Sequence, residues 1–511
     1  MKISVKTLLI FSCFLISLQG AFSQTIPSYV SAEKRKLQYP DDKYLTGFAS
    51  AVIRKTDIVE DVQKTLLENA KTYLVQSIST RISSSATLNT ENHNTKTLEI
   101  FRQVSTSYAQ ADLTGLKVNE FYDPKKKEAY AFVYLNIQDF LSSTQNTLNM
   151  ESAQLSKKLG TASQLMKAGN RGEALKTYLE CFPLLREMEG QVAIVLTLGK
   201  PEIVAQYGAF SDSVSRAVSL LRTGPRTSMD DLCFFIADGI KQQIPESFKD
   251  RTIRLSSFTY MNTGMGSKFS AHLSASLQPK LTAEGFAIYT PDQSAKDNRY
   301  PWALTGTYWL DGKNLKIIAN LNNEKTGITI ASIEDYLPLT WLTDNGMDYL
   351  PGNYQSAIKL EKELSSNEIV NSGLMVKLWT NKGLENPVFK QGEKMQVYVQ
   401  ADQPCYLRLI YFTADGNKWL LKDSWYLDEA KINKPYILPD VYTCTPPFGA
   451  EILQLVAQTE PFKKLDTEVS GGNTIILGDD RSAIEITRGM KAEKSNLLIA
   501  EKRINITTLE E

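Results

Sequence analysis

The sequence predicts a multi-domain α+β protein. Three patterns support this fold class: a helical periodicity among short β-rich segments near the start, a helical stretch after them, and closely spaced strands toward the end. A chain of 511 residues should form about three or four domains, each with its own core. The predicted order is an N-terminal helix-on-sheet domain, a helical spacer, a small α/β domain and a C-terminal antiparallel β-sandwich-like domain.

The predicted boundaries follow the changes of pattern along the chain. They are a signal peptide at 1–23, an α+β domain at 36–140, a helical spacer at 141–223, an α/β domain at 228–340, a connector at 341–370, a β-sandwich-like domain at 371–465 and a C-terminal extension at 466–511.

The first residues are typical of an export signal. Lys2 and Lys6 precede an apolar run at 8–18, and the small residues Ala21 and Ser23 follow it. We expect cleavage after Ser23. The run is about 11 residues long, whereas a helix needs about 20 to cross a bilayer. Cys13 lies inside the run and follows Phe11 and Ser12, which is too early in the chain and too bulky at Phe11 for the lipidated cysteine of a lipoprotein. We therefore predict an exported protein of the periplasm or outer membrane, without a lipid anchor.

The charge balance argues against nucleic acid as a partner. The chain carries 57 basic and 57 acidic residues, and loss of Lys2 and Lys6 leaves 55 against 57, a formal charge of −2. Nucleic acid binding requires clustered Lys and Arg. Every later apolar run is interrupted within about ten residues, so no transmembrane segment is predicted after signal removal.

Four cysteines remain in the expected mature chain, and none has Cys-x-x-Cys spacing. They are Cys181, Cys233, Cys405 and Cys444. A disulfide between Cys405 and Cys444, inside one predicted domain, is one interpretation for an oxidising compartment. Four buried small apolar residues are the alternative.

The N-terminal domain is predicted from a strand, a helix and a hairpin. The strand at 44–50 contains Gly47, which permits close packing, and helical spacing follows at 58–82. The β-rich segments lie at 98–104, 113–122 and 129–135. The strand letters of 44–50, the helix and the closing strand at 128–135 resemble the LPP-twenty-like lipoprotein family over roughly 36–140. The resemblance implies an envelope protein, but the lipidated cysteine of that family is missing here.

The next segments are a helical region and an α/β region. A break at 167–174 separates two helices like a single tetratricopeptide hairpin, and a solenoid needs several such repeats. Beyond it we predict helices at 230–244 and 267–281 and strands at 252–260, 285–289, 303–310, 315–321 and 327–333. This order resembles the small α/β domain of curli-secretion-like and penicillin-binding-protein-activator-like envelope proteins.

The C-terminal domain is predicted to be a β-sandwich-like unit. Its strands lie at 373–380, 395–399, 405–411 and 451–457. This run resembles a domain-of-unknown-function family that is common in bacterial envelope proteins, which implies a binding or structural role. A helix is predicted at 482–491, and the last β-like run, 496–508, is either an edge strand or a mobile tail.

No catalytic, cofactor-binding or metal-binding residue is assigned. His93 and His272 lie in no spacing that pairs them with another ligand, and no Gly-x-Ser-x-Gly sequence occurs. The Gly264–Ser270 segment is similar to a phosphate loop, but Ser267 interrupts the required Gly-Lys pair. A helix capped by Ser267 is the favoured interpretation.

The C-terminal aromatic residues give the most specific binding hypothesis. The residues singled out for possible ligand binding are Trp419, Trp425, Tyr426 and Tyr442, in a cluster that also contains Tyr436 and Phe448. The cluster is either part of a core or an exposed platform for a glycan or a protein, and a core is favoured. Trp419 and Trp425 are both odd-numbered and would share one face of a single strand.

The function predicted from these observations is that of a non-enzymatic cell-envelope protein acting as a protein-interaction or assembly scaffold. Its partners would be envelope proteins or further copies of itself. Two alternatives stay open. A carbohydrate-binding protein would require Trp419 and Trp425 not to be fully buried. A periplasmic hydrolase would require His93 or His272 beside a nucleophile and a carboxylate.

Overall fold

The computed structural model describes residues 26–53, 58–89, 115–198, 203–221, 228–245, 248–261, 263–289, 301–324, 328–365, 374–383, 386–478 and 497–510. The predicted signal peptide, the predicted strand at 98–104, His93 and the predicted helix at 482–491 lie outside these residues. Within the described ranges, no helix is both long and apolar enough to cross a membrane.

The α+β fold class predicted from the sequence is confirmed. The helices are α1 (Ala32–Gln38), α2 (Val59–Asn89), α3 (Ile137–Lys167), α4 (Arg171–Leu179), α5 (Cys181–Thr197), α6 (Ile203–Leu221), α7 (Met229–Gln243), α8 (Lys268–Ala283), α9 (Leu339–Asp344) and α10 (Tyr354–Ser365). The strands are β1 (Tyr44–Val52), β2 (Lys117–Asp123), β3 (Glu128–Asn136), β4 (Thr252–Leu255), β5 (Thr259–Tyr260), β6 (Ala287–Tyr289), β7 (Trp302–Asp311), β8 (Asn314–Asn323), β9 (Thr329–Pro338), β10 (Val376–Thr380), β11 (Val388–Lys390), β12 (Lys394–Ala401), β13 (Cys405–Phe412), β14 (Lys418–Leu427), β15 (Tyr436–Thr443), β16 (Ala450–Gln458), β17 (Thr467–Ser470), β18 (Asn473–Ile476) and β19 (Ile499–Leu509).

The N-terminal unit packs α2 across a sheet with the strand order β1-β3-β2. Gly47 on β1 pairs with Val133 on β3. A Cβ atom at Gly47 would lie 1.9 Å from the carbonyl oxygen of Ala70 on α2, so a larger residue would push the helix away. The close packing predicted for Gly47 is therefore confirmed. On the other face of the sheet, the ring of Tyr29 stacks on Phe132 with centroids 5.2 Å apart.

The helical region shares one hydrophobic core with the α/β sheet. Helix α5 contributes to two cores. Ala193 and Ile194 belong to the N-terminal core, whereas Leu185 and Met188 belong to the core shared with the sheet. The segment predicted as a helical spacer is thus packed on its neighbours rather than separating them.

The α/β sheet has the order β6-β4-β7-β8-β9, with β5 alongside β7. Its last three strands form the predicted antiparallel meander. At the start of α8, the Ser267 hydroxyl accepts a hydrogen bond from the Ser270 backbone N–H and lies 2.6 Å from the Tyr308 hydroxyl. Ser267 is fully buried. The segment similar to a phosphate loop is therefore a capped, buried helix start, which was the favoured interpretation.

The C-terminal unit consists of two packed sheets. The small sheet has the order β10-β12-β15, and the large sheet has the order β11-β19-β16-β13-β14-β18-β17. Both contribute apolar side chains to one core. The predicted sandwich-like arrangement is present, although β11 and β19 pair in parallel. Strand β19 lies between β11 and β16, so the last run is an internal strand and neither an edge strand nor a tail.

The C-terminal unit is joined to the α/β region by side chains that bond to backbone atoms. The Asn353 side chain donates to the Ala450 carbonyl oxygen and accepts from the Ala450 N–H, at 2.8 Å in each case. The Gly266 N–H donates to the Thr507 hydroxyl at 2.8 Å. Met265, buried between them, packs against Ala450. These contacts define a specific joint.

Candidate interaction site

The aromatic residues singled out from the sequence lie on β14 and β15, which belong to different sheets of the C-terminal unit. Trp419 and Trp425 are half-buried and pack against the core between the sheets. Tyr442 also packs there, and burial raises its pKa to about 12. Tyr426 is 46% exposed. The structure therefore brings three of the four residues to one core and leaves the fourth on the surface.

Strand β14 is irregular between its two tryptophans. Trp425 pairs with Leu407 and Trp419 with Tyr411 of β13, but the register shifts twice between these pairs. Ser424 has a backbone φ of 47°, in the left-handed region. Strand β14 pairs with β18 at Trp419, and beyond that point such bulges twist the strand and discourage further strand pairing. The end of β14 is therefore better suited to contacts through side chains than to strand addition.

A corner of two aromatic rings lies at the end of β14. The ring centroids of Trp425 and Tyr436 are 4.5 Å apart, with an angle of 46° between the ring planes. The Lys431 ammonium lies 6.0 Å from the Trp425 centroid and 5.9 Å from the Tyr436 centroid. The same ammonium is 2.9 Å from a carboxylate oxygen of Asp428. We call Trp425 and Tyr436 the aromatic corner.

A second aromatic pair lies on the opposite face of β14. Successive strand residues project to opposite faces, so Tyr426 points away from the aromatic corner. Its ring centroid is 4.9 Å from that of Tyr406 on β13, with the rings tilted by 43°. The two faces of one strand end thus each carry a half-exposed aromatic pair. We call this region, comprising Trp425, Tyr436, Tyr406 and Tyr426, the aromatic end.

One member of the aromatic end, Tyr406, and the neighbouring Lys431 were not identified as site residues from the sequence. The sequence places Tyr406 in a predicted strand and gives it no further role, because its pairing with Tyr426 depends on the β13–β14 register. Lys431 gave no sequence signal at all, because its approach to the aromatic corner depends on the conformation of the loop after β14.

Of the two interpretations of the cysteines, the structure does not form the disulfide between Cys405 and Cys444. Among the described residues, all four cysteines are free and buried. Cys405 begins β13, next to the Gln458 end of β16, whereas the Cys444 N–H bonds to Glu393 beside the opposite end of the sandwich. Strands rise about 3.3 Å per residue, so eight-residue strands separate the two ends far beyond the 7 Å that a disulfide spans.

The densest group of charged side chains is enclosed between α5, α6 and the α/β sheet. Arg186 bonds to Glu189 and Glu334, and Lys316 lies 3.5 Å from Glu334. Burial opposes ionisation of Glu334, but Lys316 and Arg186 hold its pKa below the usual value. Tyr207 donates to Glu189. These side chains are almost fully buried and pair with one another, which is typical of a structural network.

The described histidine has no catalytic geometry. His272 is exposed on α8 and stacks on Trp341, with ring centroids 6.3 Å apart. None of the hydrogen bonds or ion pairs of the described residues joins it to a nucleophile or a carboxylate. In the same ranges, no three His, Cys, Asp or Glu side chains are grouped as metal ligands.

Comparison with known proteins identifies one domain. Residues 388–461 match the family model of a domain of unknown function, DUF4384. This match lies inside the predicted C-terminal domain and confirms the resemblance to a domain-of-unknown-function family there. No curated protein matches the chain. The predicted resemblances of the N-terminal and middle domains have no counterpart among these matches.

A solved structure is also similar in part. It is the crystal structure of the secreted protein HP1454 from the human pathogen Helicobacter pylori, with 14% sequence identity over 57% of this chain and 86% of that one. The TM-score is 0.17. At that value the similarity supports no conclusion about the fold or function of this chain.

Proposed function

We propose that this chain is a non-enzymatic, exported cell-envelope protein that docks partner proteins through the aromatic end of its C-terminal unit. The observation that carries the proposal is the pair of half-exposed aromatic contacts on the two faces of the end of β14. Tyr and Trp are enriched in protein interfaces because they bury a large area with few rotatable bonds. Two apolar residues of β15, Ile437 and Val441, are also exposed, at 46% and 51%.

The geometry favours a protein over a glycan as the partner. A sugar ring stacks best on a flat, open aromatic face, whereas the rings here are tilted by 46° and 43° to their neighbours. Trp419 and Trp425 are both half-buried. Full burial of these two residues would have excluded a carbohydrate-binding protein. Glycan binding is therefore the second candidate, and it shares the same residues.

The rest of the chain is suited to a scaffold role. Helix α5 contacts the N-terminal core and the α/β core, and the joint at Asn353 fixes the C-terminal unit to the same body. The buried charged side chains at the centre of this body pair with one another in the network of Arg186 and Glu334, so they serve its structure. The proposal includes the resemblances of the first two domains. An LPP-twenty-like domain and a secretion-like or activator-like domain would both be consistent with an envelope scaffold.

The proposal is tested by crosslinking and pull-down from native envelope fractions with the mature protein as bait. Trp425→Leu combined with Tyr426→Ser should remove a reproducible partner or a defined oligomer. The matched control is Phe234→Ser, which removes a 55% exposed aromatic side chain from α7, remote in sequence from the aromatic end. Equal capture by the unsubstituted protein, the Trp425→Leu and Tyr426→Ser double variant, and the Phe234→Ser control would overturn the proposal. Binding on a glycan array that depends on Trp425, without a protein partner, would favour the second candidate.

A further inference from the structure

Lys431 occupies the aromatic corner in the way that a bound cation would. Its ammonium is nearly equidistant from the two ring centroids, at 6.0 and 5.9 Å, and its counter-ion Asp428 lies beside it. Two aromatic faces and a carboxylate are the elements that recognise ammonium and guanidinium groups. The corner is thus complementary in charge to a cationic side chain, and the chain supplies one itself.

The contacts that hold Lys431 in place are weak. The distances to both rings are at the limit of about 6 Å for a significant cation–π contact. The side chains of Lys431 and Asp428 are 39% and 44% exposed, and exposed ion pairs contribute little to stability. An incoming cation would therefore displace Lys431 at small cost.

The loop that carries Lys431 is held by other residues. Ile432 is buried, and the Asn433 N–H donates to the Ala401 carbonyl oxygen at 2.8 Å. Only the Lys431 side chain needs to move to vacate the corner, while the loop stays in place and Asp428 remains available. An arginine would gain more there than Lys431 does, because its planar guanidinium stacks on an aromatic face and forms a two-point contact with a carboxylate.

We propose that the aromatic corner receives an arginine or lysine side chain of a partner protein, and that Lys431 occupies this site in the free chain. This inference rests on the proposed docking function and names the chemistry of the partner. The partner segment would carry an accessible basic residue, and its binding would weaken as salt is raised because the contact is partly ionic.

The test uses the full mature chain and a fluorescent peptide, acetyl-Gly-Arg-Gly-Arg-Gly-amide, with a Gln-for-Arg peptide as the negative probe. Lys431→Met removes the internal cation and should tighten binding about fivefold, the size of one exposed cation–π contact. Lys434→Met is the matched control. It deletes the same charge from the same loop, but the Lys434 ammonium bonds to the Ala430 carbonyl oxygen and is not one of the cations placed over the corner rings.

Trp425→Leu in the Lys431→Met background should abolish the gain. The inference is overturned if Lys431→Met and Lys434→Met bind the peptide equally, because general charge would then explain the effect. It is also overturned if the gain survives Trp425→Leu. Should the peptide fail while capture of an envelope partner still depends on Trp425 and Tyr426, this inference falls and the proposed function stands. Should that capture fail as well, the proposed function falls with it.

Discussion

Arg186 on α5 and Glu334 on β9 form an ion pair whose side chains are 4% and 2% exposed, with 3.2 Å between Nη2 and Oε2. The pair connects the helical region to the α/β sheet across 148 positions of sequence. Ser215 of α6 also donates to Glu334. One carboxylate therefore fixes two helices and a strand, which gives the central body a specific arrangement.

Glu334→Gln should lower the free energy of unfolding by about 3–5 kcal/mol, because it leaves the buried Arg186 and Lys316 with too little negative charge. The measurement is the midpoint of urea unfolding. Glu180→Gln is the control, since Glu180 pairs with Lys158 at 38% exposure on both sides and should cost less than about 1 kcal/mol. Similar losses in the two variants would contradict the structural role given to the network.

Gly47→Ala should unfold the N-terminal unit or displace α2. The added Cβ would lie 1.9 Å from the Ala70 carbonyl oxygen, which belongs to a rigid helix backbone. Gly160→Ala is the opposite control: nothing lies within 4 Å of its Cβ position on α3, and alanine favours a helix by about 1 kcal/mol. Thermal unfolding of both variants measures the difference. A Gly47→Ala protein as stable as the wild type would refute the packing described for β1 and α2.

Asn353→Ala should loosen the joint to the C-terminal unit. The substitution removes the bonds to Ala450 and a further bond, at 3.1 Å, to the Ala414 carbonyl oxygen. Hydrogen exchange at the Ala450 amide should accelerate at least tenfold, since a lost bond of about 1.4 kcal/mol corresponds to that factor. Ser356→Ala, which removes an exposed bond to the Asn353 carbonyl oxygen, serves as the control. Unchanged exchange at Ala450 would contradict the joint.

Stability should fall as the pH rises from 5 to 8. Burial raises the pKa of Glu451 to about 7, of Glu151 to about 7 and of Asp402 to about 6. At a pH between the pKa of such a carboxyl in the unfolded chain and its pKa in the folded protein, the folded state holds more protons. Unfolding therefore releases protons and becomes easier as the pH rises. The stabilisation is complete below about pH 4.5 and is lost as pH passes through 7.

Glu451→Gln should flatten part of this dependence. The carboxyl is 5% exposed and accepts from the Tyr411 hydroxyl at 2.6 Å, and its share of the change is on the order of 3 kcal/mol. Urea unfolding at pH 5 and pH 8 gives the comparison, with Glu429→Gln on an exposed loop as the control. A wild-type protein more stable at pH 8 than at pH 5 would show that other groups dominate.

The cysteines should react slowly in the folded protein. Burial raises the pKa of Cys181, Cys233 and Cys405 to about 12 and of Cys444 to about 11, and the thiolate is the reactive form. A thiol reagent at pH 8 should label these sites only after unfolding. Mass spectrometry under non-reducing conditions should find no peptide linking Cys405 to Cys444, and its recovery would contradict the strand order of the C-terminal unit.

Local patterns predicted much of the fold. The helix start at Ser267, the close packing at Gly47 and the meander of β7, β8 and β9 each depend on residues near one another in sequence or on a single steric requirement. The helical spacing that began at 58 was also correct, with α2 beginning at Val59. Such features are set by periodicity and capping, which a sequence displays directly.

The features that could not be predicted depend on distant residues. Nothing near Arg186 in the sequence indicates that its partner is Glu334, so the core that the helical region shares with the α/β sheet could not be predicted. The separation of Cys405 from Cys444 follows from sheet order, and the placement of Lys431 follows from one loop conformation. The aromatic residues of the candidate site were visible in the sequence, but which of them are exposed depends on strand register.

The most direct measurement is site-specific photocrosslinking in cells, with a photoreactive phenylalanine analogue placed at position 426 or, in a matched protein, at position 234. Both natural residues are exposed aromatics, at 46% and 55%. If the aromatic end docks a partner, the analogue at position 426 should give a discrete crosslinked adduct and the analogue at position 234 should give none. No adduct at 426, or the same adducts from both positions, would contradict docking at the aromatic end.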